Sequence, residues 1–197
     1  MHTHTGGCTP PTMAFLILRA EHLQGLTAMG LIDVTRTYLE MTSPADLVDP
    51  AGLPEGARFE RVEVCPLGFF RFLYAEVGKQ YYWRDRLDWT DEQITEYLRG
   101  PVWLWVLYDR GAPAGYFELK RHIDGSIEVA YFGLLPHAIG RGLGSVLLTR
   151  AVEEAWKLEP NRVWLHTCTL DHPAAMANYK KRGFRPTRTE VYQTSIP

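Results

Sequence analysis

The chain has 197 residues, of which 46% are hydrophobic, and its formal net charge is −2. This length and composition predict a single globular domain with a large core, and a nearly neutral chain lacks the electrostatic footprint of a nucleic-acid-binding protein. The three cysteines are widely spaced, which argues against a disulfide framework or a zinc site, so we expect no metal and a cytoplasmic location.

Residues 1–30 are expected to form a loose N-terminal tail, and residues 31–197 a single domain. The apolar run over residues 13–18 is too short to span a membrane, and no basic region precedes it. We therefore predict that the protein makes no contact with a membrane.

The first hundred residues predict one strand followed by two helices. Alternation of polar and apolar residues favours a strand over residues 35–41, and residues 43–56, rich in Pro, Ala and Asp, are typical of a loop. Apolar residues at helical spacing predict a helix over residues 68–83. A second helix begins with a capping box at Thr90 and Gln93 and ends before residues 100–101, which are Gly and Pro.

From residue 102 onward the pattern predicts three strands joined by short turns, then helix, strand, helix and strand. The late helix is expected to start at Pro173, capped by Asp171 or His172, and to end at Gly183. Together the elements indicate an α+β fold with a mixed sheet flanked by helices. Their predicted bounds are 102–108, 114–121 and 127–135 for the three strands, 143–158 and 173–183 for the helices, and 163–169 and 184–196 for the remaining strands.

Three alternating glycines, Gly140, Gly142 and Gly144, follow the third of these strands and continue into the start of the next helix. Glycine lets the backbone approach a ligand closely, and the first N–H groups of a helix lack internal partners and attract anions. Arg141 adds a cation. The loop therefore predicts a seat for a phosphate or pyrophosphate, with a tight connection that binds nothing as the alternative. Leu147 stands where the dinucleotide fingerprint needs its third glycine, and the Lys of a P-loop is missing.

The element order, with this loop after the fourth strand, closely resembles the GNAT superfamily of N-acyltransferases. The phosphate loop of that family runs Gln or Arg, two residues, Gly, one residue, then Gly or Ala, and the aligned string here is Ile-Gly-Arg-Gly-Leu-Gly from Ile139. A late helix of the family, Asn-x-x-Ala then Tyr and ending in Gly-Phe, is similar to residues 171–184. His172 stands at the position of the family's Asn, whereas the matching residues are Ala175, Tyr179, Gly183 and Phe184.

This resemblance implies a GNAT-like fold with a mixed, mostly antiparallel sheet, and acetyl-CoA as the donor of an acetyl group. The acceptor would be an amine of a small molecule or peptide that attacks the thioester directly in a ternary complex. The main chain from Phe132 to Leu134 would pair with the pantetheine arm like an added strand. The residues implied to bind the donor are Phe132, Leu134, Leu135, Ile139, Gly140, Arg141, Gly142, Leu143, Gly144, Ser145, His172 and Tyr179.

The resemblance also assigns catalytic roles. Tyr179 aligns with the tyrosine that protonates the leaving thiolate, although packing of Tyr179 on Phe184 is an alternative role. Glu128, on the strand before the glycine loop, and Glu118, on the neighbouring strand, are the two candidates for the general base. The oligomeric state stays open, with a homodimer as one alternative.

Two other functions are compatible with these residues. His166 and Cys168 alternate on one predicted strand, so a Cys168 nucleophile with a His166 base would make the protein a thioester hydrolase or a ping-pong transferase. A sensor of the same fold that binds CoA without catalysis is the other alternative.

The acceptor is expected to lie near the aromatic segment 69–89. Its side chains either line an acceptor cleft or pack the helices on the sheet. Arginines of the same segment are candidates for contact with an acceptor carboxylate. The residues concerned are Tyr81, Tyr82, Trp83 and Trp89, and Arg71, Arg84 and Arg86.

Overall fold

A seven-stranded mixed sheet organises residues 30–196, the part of the chain that the computed structural model describes. The strand order is β2-β3-β4-β5-β6-β1-β7, and all neighbours are antiparallel except β5 and β6, which are parallel. The strands are β1 (Gly30–Met41), β2 (Ala57–Arg61), β3 (Val102–Asp109), β4 (Ala112–Arg121), β5 (Ile127–Leu134), β6 (Val163–Cys168) and β7 (Arg185–Ile196). The predicted α+β fold with a mixed sheet is confirmed.

Four helices cover the two faces of the sheet: α1 (Leu67–Gly78), α2 (Asp91–Arg99), α3 (Leu143–Trp156) and α4 (Ala175–Lys181). Alternate residues of each strand point to opposite faces. Val106 packs with residues of α1 and α2 in one core cluster. Its neighbour Leu107 packs with residues of α3 and with Tyr179 of α4 in the other. The sheet thus separates two helical layers, and the candidate site lies where they meet.

Two predicted elements differ from the structure in the first half of the chain. Strand β2 was not predicted, because its sequence ARFER carries three charged residues and lies at the edge of the sheet. Helix α1 ends at Gly78 rather than near Trp83, since the chain turns back there. A Cβ on Gly78 would lie 2.4 Å from the Cβ of Trp83. The predicted capping box of α2 is confirmed, with both bonds between Thr90 and Gln93 present.

The start of α4 was predicted incorrectly. The helix begins at Ala175, with Ala174 as a cap that makes no side-chain hydrogen bond, rather than at Pro173. Asp171 instead accepts hydrogen bonds from the Thr167 hydroxyl and the Cys168 N–H, which holds the turn after β6.

The end of α4 has the predicted form. Gly183 follows the helix with φ at 102°. The N–H of Phe184 donates to the carbonyl of Tyr179, and the N–H of Gly183 donates to that of Lys180. These two bonds are the Schellman arrangement that ends many helices.

The predicted N-terminal tail lies outside the described residues except for Gly30, which is the first residue of β1. Within the described range of 30–196, no helix is long and apolar enough to cross a membrane.

Candidate functional site

The parallel strands β5 and β6 separate soon after they begin. They pair only at Ile127 with Val163 and at Glu128 with Trp164. In β5, Val129 pairs with Leu119 of β4 and Tyr131 with Glu118, so Ala130 is an extra residue that forms a bulge. A bulge bends its strand and increases the local twist. Beyond residue 128, β5 therefore has one edge without a strand partner, and a cleft opens between the two strands.

A cavity of about 1020 Å³ fills this cleft and continues onto both faces of the sheet. Its walls come from β5, β6, the glycine loop, α4, residues 81–89 between α1 and α2, and the strands β1 and β7. A cavity of this size is at the upper end of the range for small-molecule and cofactor sites.

The glycine loop, residues 140–144, forms one end of the cavity. Gly140 and Gly142 adopt φ values of 80° and 76°, in the left-handed region where a side chain is strained, and Gly142 is the residue before α3. Among the described residues, nothing accepts a hydrogen bond from the N–H groups of residues 140–144. A run of unpaired N–H groups at a helix start is suited to bind an anion.

Asn178 joins this loop to α4. Its amide Nδ2 donates to the carbonyl of Gly144 over 3.2 Å, and its Oδ1 accepts from the hydroxyl of Ser145 over 3.0 Å. Because Tyr179 is the next residue, these bonds fix the catalytic candidate relative to the anion-binding loop. Nothing in the local sequence pattern had indicated Asn178.

Tyr179 projects from α4 into the cavity, with 7% of the residue exposed. Its ring packs edge-on against Phe132 and Phe184, with centroids 6.0 and 6.2 Å away, so the predicted packing on Phe184 is confirmed. No hydrogen-bond partner of its hydroxyl is found over residues 30–196. Burial, with a smaller contribution from Asp171, raises the pKa of Tyr179, so the phenol keeps its proton at neutral pH.

Glu128 lines the same cavity, with 12% of its side chain exposed. Its Oε2 lies 2.8 Å from Nε2 of His122, and its Oε1 lies 3.8 Å from Nε2 of His166. Burial lowers the pKa of His166. The carboxylate is therefore held between two imidazoles at the point where the strands separate.

Glu118 does not line the cavity. It is fully buried on β4, where it accepts two hydrogen bonds from Nη1 of Arg86, at 3.1 and 2.8 Å, and one from the hydroxyl of Tyr97 at 2.9 Å. This ion pair anchors residues 81–89 on the sheet, because Arg86 belongs to that segment.

The cavity brings together most of the residues implied to bind the donor. Leu135 and Leu143 are buried in the two core clusters, and Arg141 turns away to pair with Asp109 over 2.6 Å. The side chains or backbone that do line the cavity are those of Phe132, Leu134, Ile139, Gly140, Gly142, Gly144, Ser145, His172 and Tyr179.

The four aromatic residues singled out in segment 69–89 also reach the cavity: Tyr81, Tyr82, Trp83 and Trp89. Trp83 and Trp89 also pack against the core, so each of these two residues both lines the cavity and packs a helix on the sheet. Arg84 and Arg86 line the cavity. Arg71 instead bonds to Asp91 and to the carbonyl of Trp89, each over 2.8 Å.

Sequence reasoning missed several residues of the cavity wall. Asp85 accepts hydrogen bonds from the hydroxyls of Tyr74 and Tyr131. Arg36 of β1 and Tyr192 of β7 reach the wall because β1 pairs with β6 through Arg36 and Cys168. These contacts depend on strand order, which local patterns do not specify.

His166 and Cys168 lie on the same face of β6, as predicted, and both line the cavity. No hydrogen bond joins them. Burial, together with Asp171, raises the pKa of the Cys168 thiol, which disfavours the thiolate that a nucleophile needs.

A profile of the acetyltransferase (GNAT) family matches residues 70–184, more than half of the chain. The chain belongs to the GNAT acetyltransferase family. The matched region runs from within α1 to Phe184 and so includes β5, the glycine loop and Tyr179. It leaves out β1, β2 and β7. No curated protein sequence matches the chain significantly.

Solved structures share this GNAT fold. A GCN5-related N-acetyltransferase from Kribbella flavida aligns with a TM-score of 0.59 and 21% identity, over 85% of this chain and 60% of that one. One from Sphaerobacter thermophilus has a TM-score of 0.57 and 16% identity, over 83% and 51%. A similar protein from Streptococcus suis has a TM-score of 0.57 and 14% identity, over 86% and 64%. This chain thus spans less than two thirds of each.

Proposed function

We propose that the protein is an N-acetyltransferase that moves the acetyl group of acetyl-CoA directly to an amine of a small molecule or peptide. One observation carries this proposal. A single cavity joins the three glycines of the loop, whose N–H groups are unpaired, to Tyr179 and Glu128. The free thiols of Cys65 and Cys168 agree with a cytoplasmic location.

Each part of acetyl-CoA has a chemically suitable partner in the cleft. The pyrophosphate would accept hydrogen bonds from the N–H groups of residues 140–144 at the start of α3. The pantetheine arm carries amides, and the unpaired edge of β5 from Phe132 to Leu134 offers main-chain partners for them. This arm would bring the thioester towards Tyr179 and Glu128.

The chemistry then needs a base and an acid. Glu128 takes one proton from the acceptor ammonium, and the free amine forms a bond to the thioester carbon as the carbon–sulfur bond breaks. Tyr179 gives its hydroxyl proton to the leaving sulfur and regains one from the acylated nitrogen. We assign the base role to Glu128 rather than Glu118, because Glu118 is buried in its ion pair with Arg86.

Calorimetric titration tests the donor site first. We expect acetyl-CoA to bind with a Kd in the micromolar range, about −8 kcal/mol, and adenosine to show no measurable binding. Absence of acetyl-CoA binding at millimolar concentration would overturn the proposal. Binding of acetyl-CoA without turnover of any amine would indicate the sensor alternative.

A Gly142→Asp variant tests whether the loop holds the phosphates. A Cβ on Gly142 meets no atom within 4 Å, so the variant carries only the backbone strain of its positive φ, about 1–2 kcal/mol, and should fold. Its carboxylate would compete for the N–H groups and repel the pyrophosphate, which we expect to weaken acetyl-CoA binding about 30-fold. Gly111→Asp is the matched control, since Gly111 also has a positive φ and open space but lies in the β3–β4 turn.

Cys168→Ala separates direct transfer from a covalent acyl-enzyme. Because Tyr179 and Glu128 act without a thiol, we expect kcat to stay within about twofold of the wild-type value. A loss of more than about 100-fold in kcat, measured by thiol release from acetyl-CoA, would instead indicate nucleophilic catalysis by Cys168.

A further inference from the structure

Glu128 occupies a fixed position at the base of the cleft. It is the second residue of β5 and pairs with Trp164 in the last rung before β5 and β6 separate. On its other side it pairs with Lys120 of β4. Its backbone is thus held by two strands, whereas the side chain reaches the cavity wall.

His122 contacts this carboxylate from outside the cavity. It follows the last residue of β4, and its N–H donates to the carbonyl of Ser126 over 2.9 Å, which fixes the β4–β5 turn. Its ring packs on Trp164 with centroids 5.2 Å apart and places Nε2 at 2.8 Å from Oε2 of Glu128. His122 does not line the cavity, and 31% of its side chain is exposed.

His166 contacts the other carboxylate oxygen from within the cavity. Its Nε2 lies 3.8 Å from Oε1 of Glu128, and its ring packs edge-on against Tyr38 at 5.7 Å. Because the two imidazoles approach different oxygens, the carboxylate group has a defined orientation with Oε1 towards the cavity.

We propose that His122 is a positioning residue for the base of the acetyl transfer: it donates a hydrogen bond from Nε2 to Oε2 of Glu128 and thereby directs Oε1 to the acceptor ammonium. This inference rests on the proposed function. A hydrogen bond from outside the cavity holds Oε2 in place and leaves the inner oxygen, Oε1, for the substrate.

Charged groups from each neighbouring element act on the same pair. Lys120 of β4 pairs across from Glu128, and His166 stands on β6. Further away, Arg36 of β1, Asp171 after β6 and Glu190 of β7 all act on His166. The effect of His122 is therefore measured with variants of His122 itself, which leave these other charged groups in place.

The first test compares variants of His122 in the transfer reaction, with acetyl-CoA and a panel of an arylalkylamine, an amino acid, an aminoglycoside and a lysine peptide. His122→Ala removes the donor, so we expect kcat to fall about 10-fold while the KM for acetyl-CoA stays within about twofold. His122→Gln can still donate near the Nε2 position, and we expect it to restore kcat to within about threefold of wild type. His137→Ala, an exposed histidine outside the cavity, is the control.

The second test needs no acceptor. Two-dimensional ¹H–¹⁵N NMR follows the imidazole signals of His122 in the wild type and in Glu128→Gln. Because a hydrogen bond to a carboxylate is stronger than one to an amide oxygen, we expect the Nε2 signal of His122 to shift in the variant and that of His137 to stay unchanged.

The outcomes separate this inference from the proposed function. An active wild type with an inactive Glu128→Gln, together with an unaltered kcat in His122→Ala, overturns the role of His122 alone. Unchanged imidazole signals of His122 in Glu128→Gln also overturn it. A wild type that binds no acetyl-CoA and acetylates no amine overturns both.

Discussion

Tyr179→Phe is expected to lower kcat by about 10² to 10³-fold while the Kd for acetyl-CoA stays within about twofold, because only the proton donor is removed. The ring of Tyr179 is held by Phe132 and Phe184, and its hydroxyl has no protein partner in the described part of the chain. Phenylalanine preserves these ring contacts, so the fold and the donor site should be intact. Rapid measurement of thiol release gives kcat, and calorimetry gives the Kd.

A control variant removes a phenol elsewhere. Tyr108 lies on β3 outside the cavity, with Arg58 stacked on its ring at 4.5 Å, and we expect Tyr108→Phe to retain wild-type kcat. If Tyr179→Phe also keeps wild-type kcat, Tyr179 is a packing residue and another group protonates the leaving sulfur.

The pH profile adds a second criterion for Tyr179. Burial and Asp171 raise the pKa of Tyr179, so the phenol remains protonated and able to donate through the neutral and mildly alkaline range. We therefore expect no loss of wild-type kcat from ionisation of Tyr179 up to about pH 9, since an unperturbed tyrosine titrates near pH 10. A basic limb near pH 8 that disappears in Tyr179→Phe would show that the pKa of Tyr179 is not raised.

Features that depend on a few neighbouring residues were predictable from the sequence. The bonds between Thr90 and Gln93, and the helix end at Gly183, follow from local backbone chemistry and appear as expected. The glycine loop was also recognisable, because three alternating glycines stand at the start of a helix. Tyr179 was singled out through the resemblance of residues 171–184 to the late helix of the GNAT family.

Features that depend on strand order were not predictable in the same way. Strand β1 inserts between β6 and β7, which puts Arg36 at the cavity, and no local pattern of the first strand indicates this pairing. Strand β2 has too few apolar residues to show a period. The cleft itself results from the early separation of β5 from β6, a property of two segments more than thirty residues apart.

The choice between the two glutamates shows the same limit. Glu118 and Glu128 lie on adjacent strands, with Glu128 opposite Lys120, so both carboxylates project from the same face of the sheet. The periodicity of the sequence therefore does not show which glutamate is the base. They differ because Arg86, from a distant loop, is inserted against Glu118, whereas His122 and His166 flank Glu128.

Gly183→Ala is expected to have the largest effect on stability. Gly183 has φ at 102°, and a Cβ placed there would lie 1.8 Å from the carbonyl oxygen of Asp46. The segment around Asp46, residues 42–48, is held in place by hydrogen bonds. The N–H of Val48 donates to the carbonyl of Arg182 over 3.2 Å, and the Asp46 carboxylate accepts from two N–H groups before it. Relief of the clash must break these bonds.

We expect the free energy of unfolding of Gly183→Ala to fall by more than about 4 kcal/mol, since a backbone clash adds to the strain of a positive φ. In a chain of this size the melting temperature should then drop by about 10 °C or more. Gly111→Ala shares the positive φ, at 90°, but its Cβ would meet no atom within 4 Å, so only the backbone strain of about 1–2 kcal/mol applies. Equal losses in the two variants would show that the contact between α4 and the Asp46 segment does not stabilise the helix end that carries Tyr179.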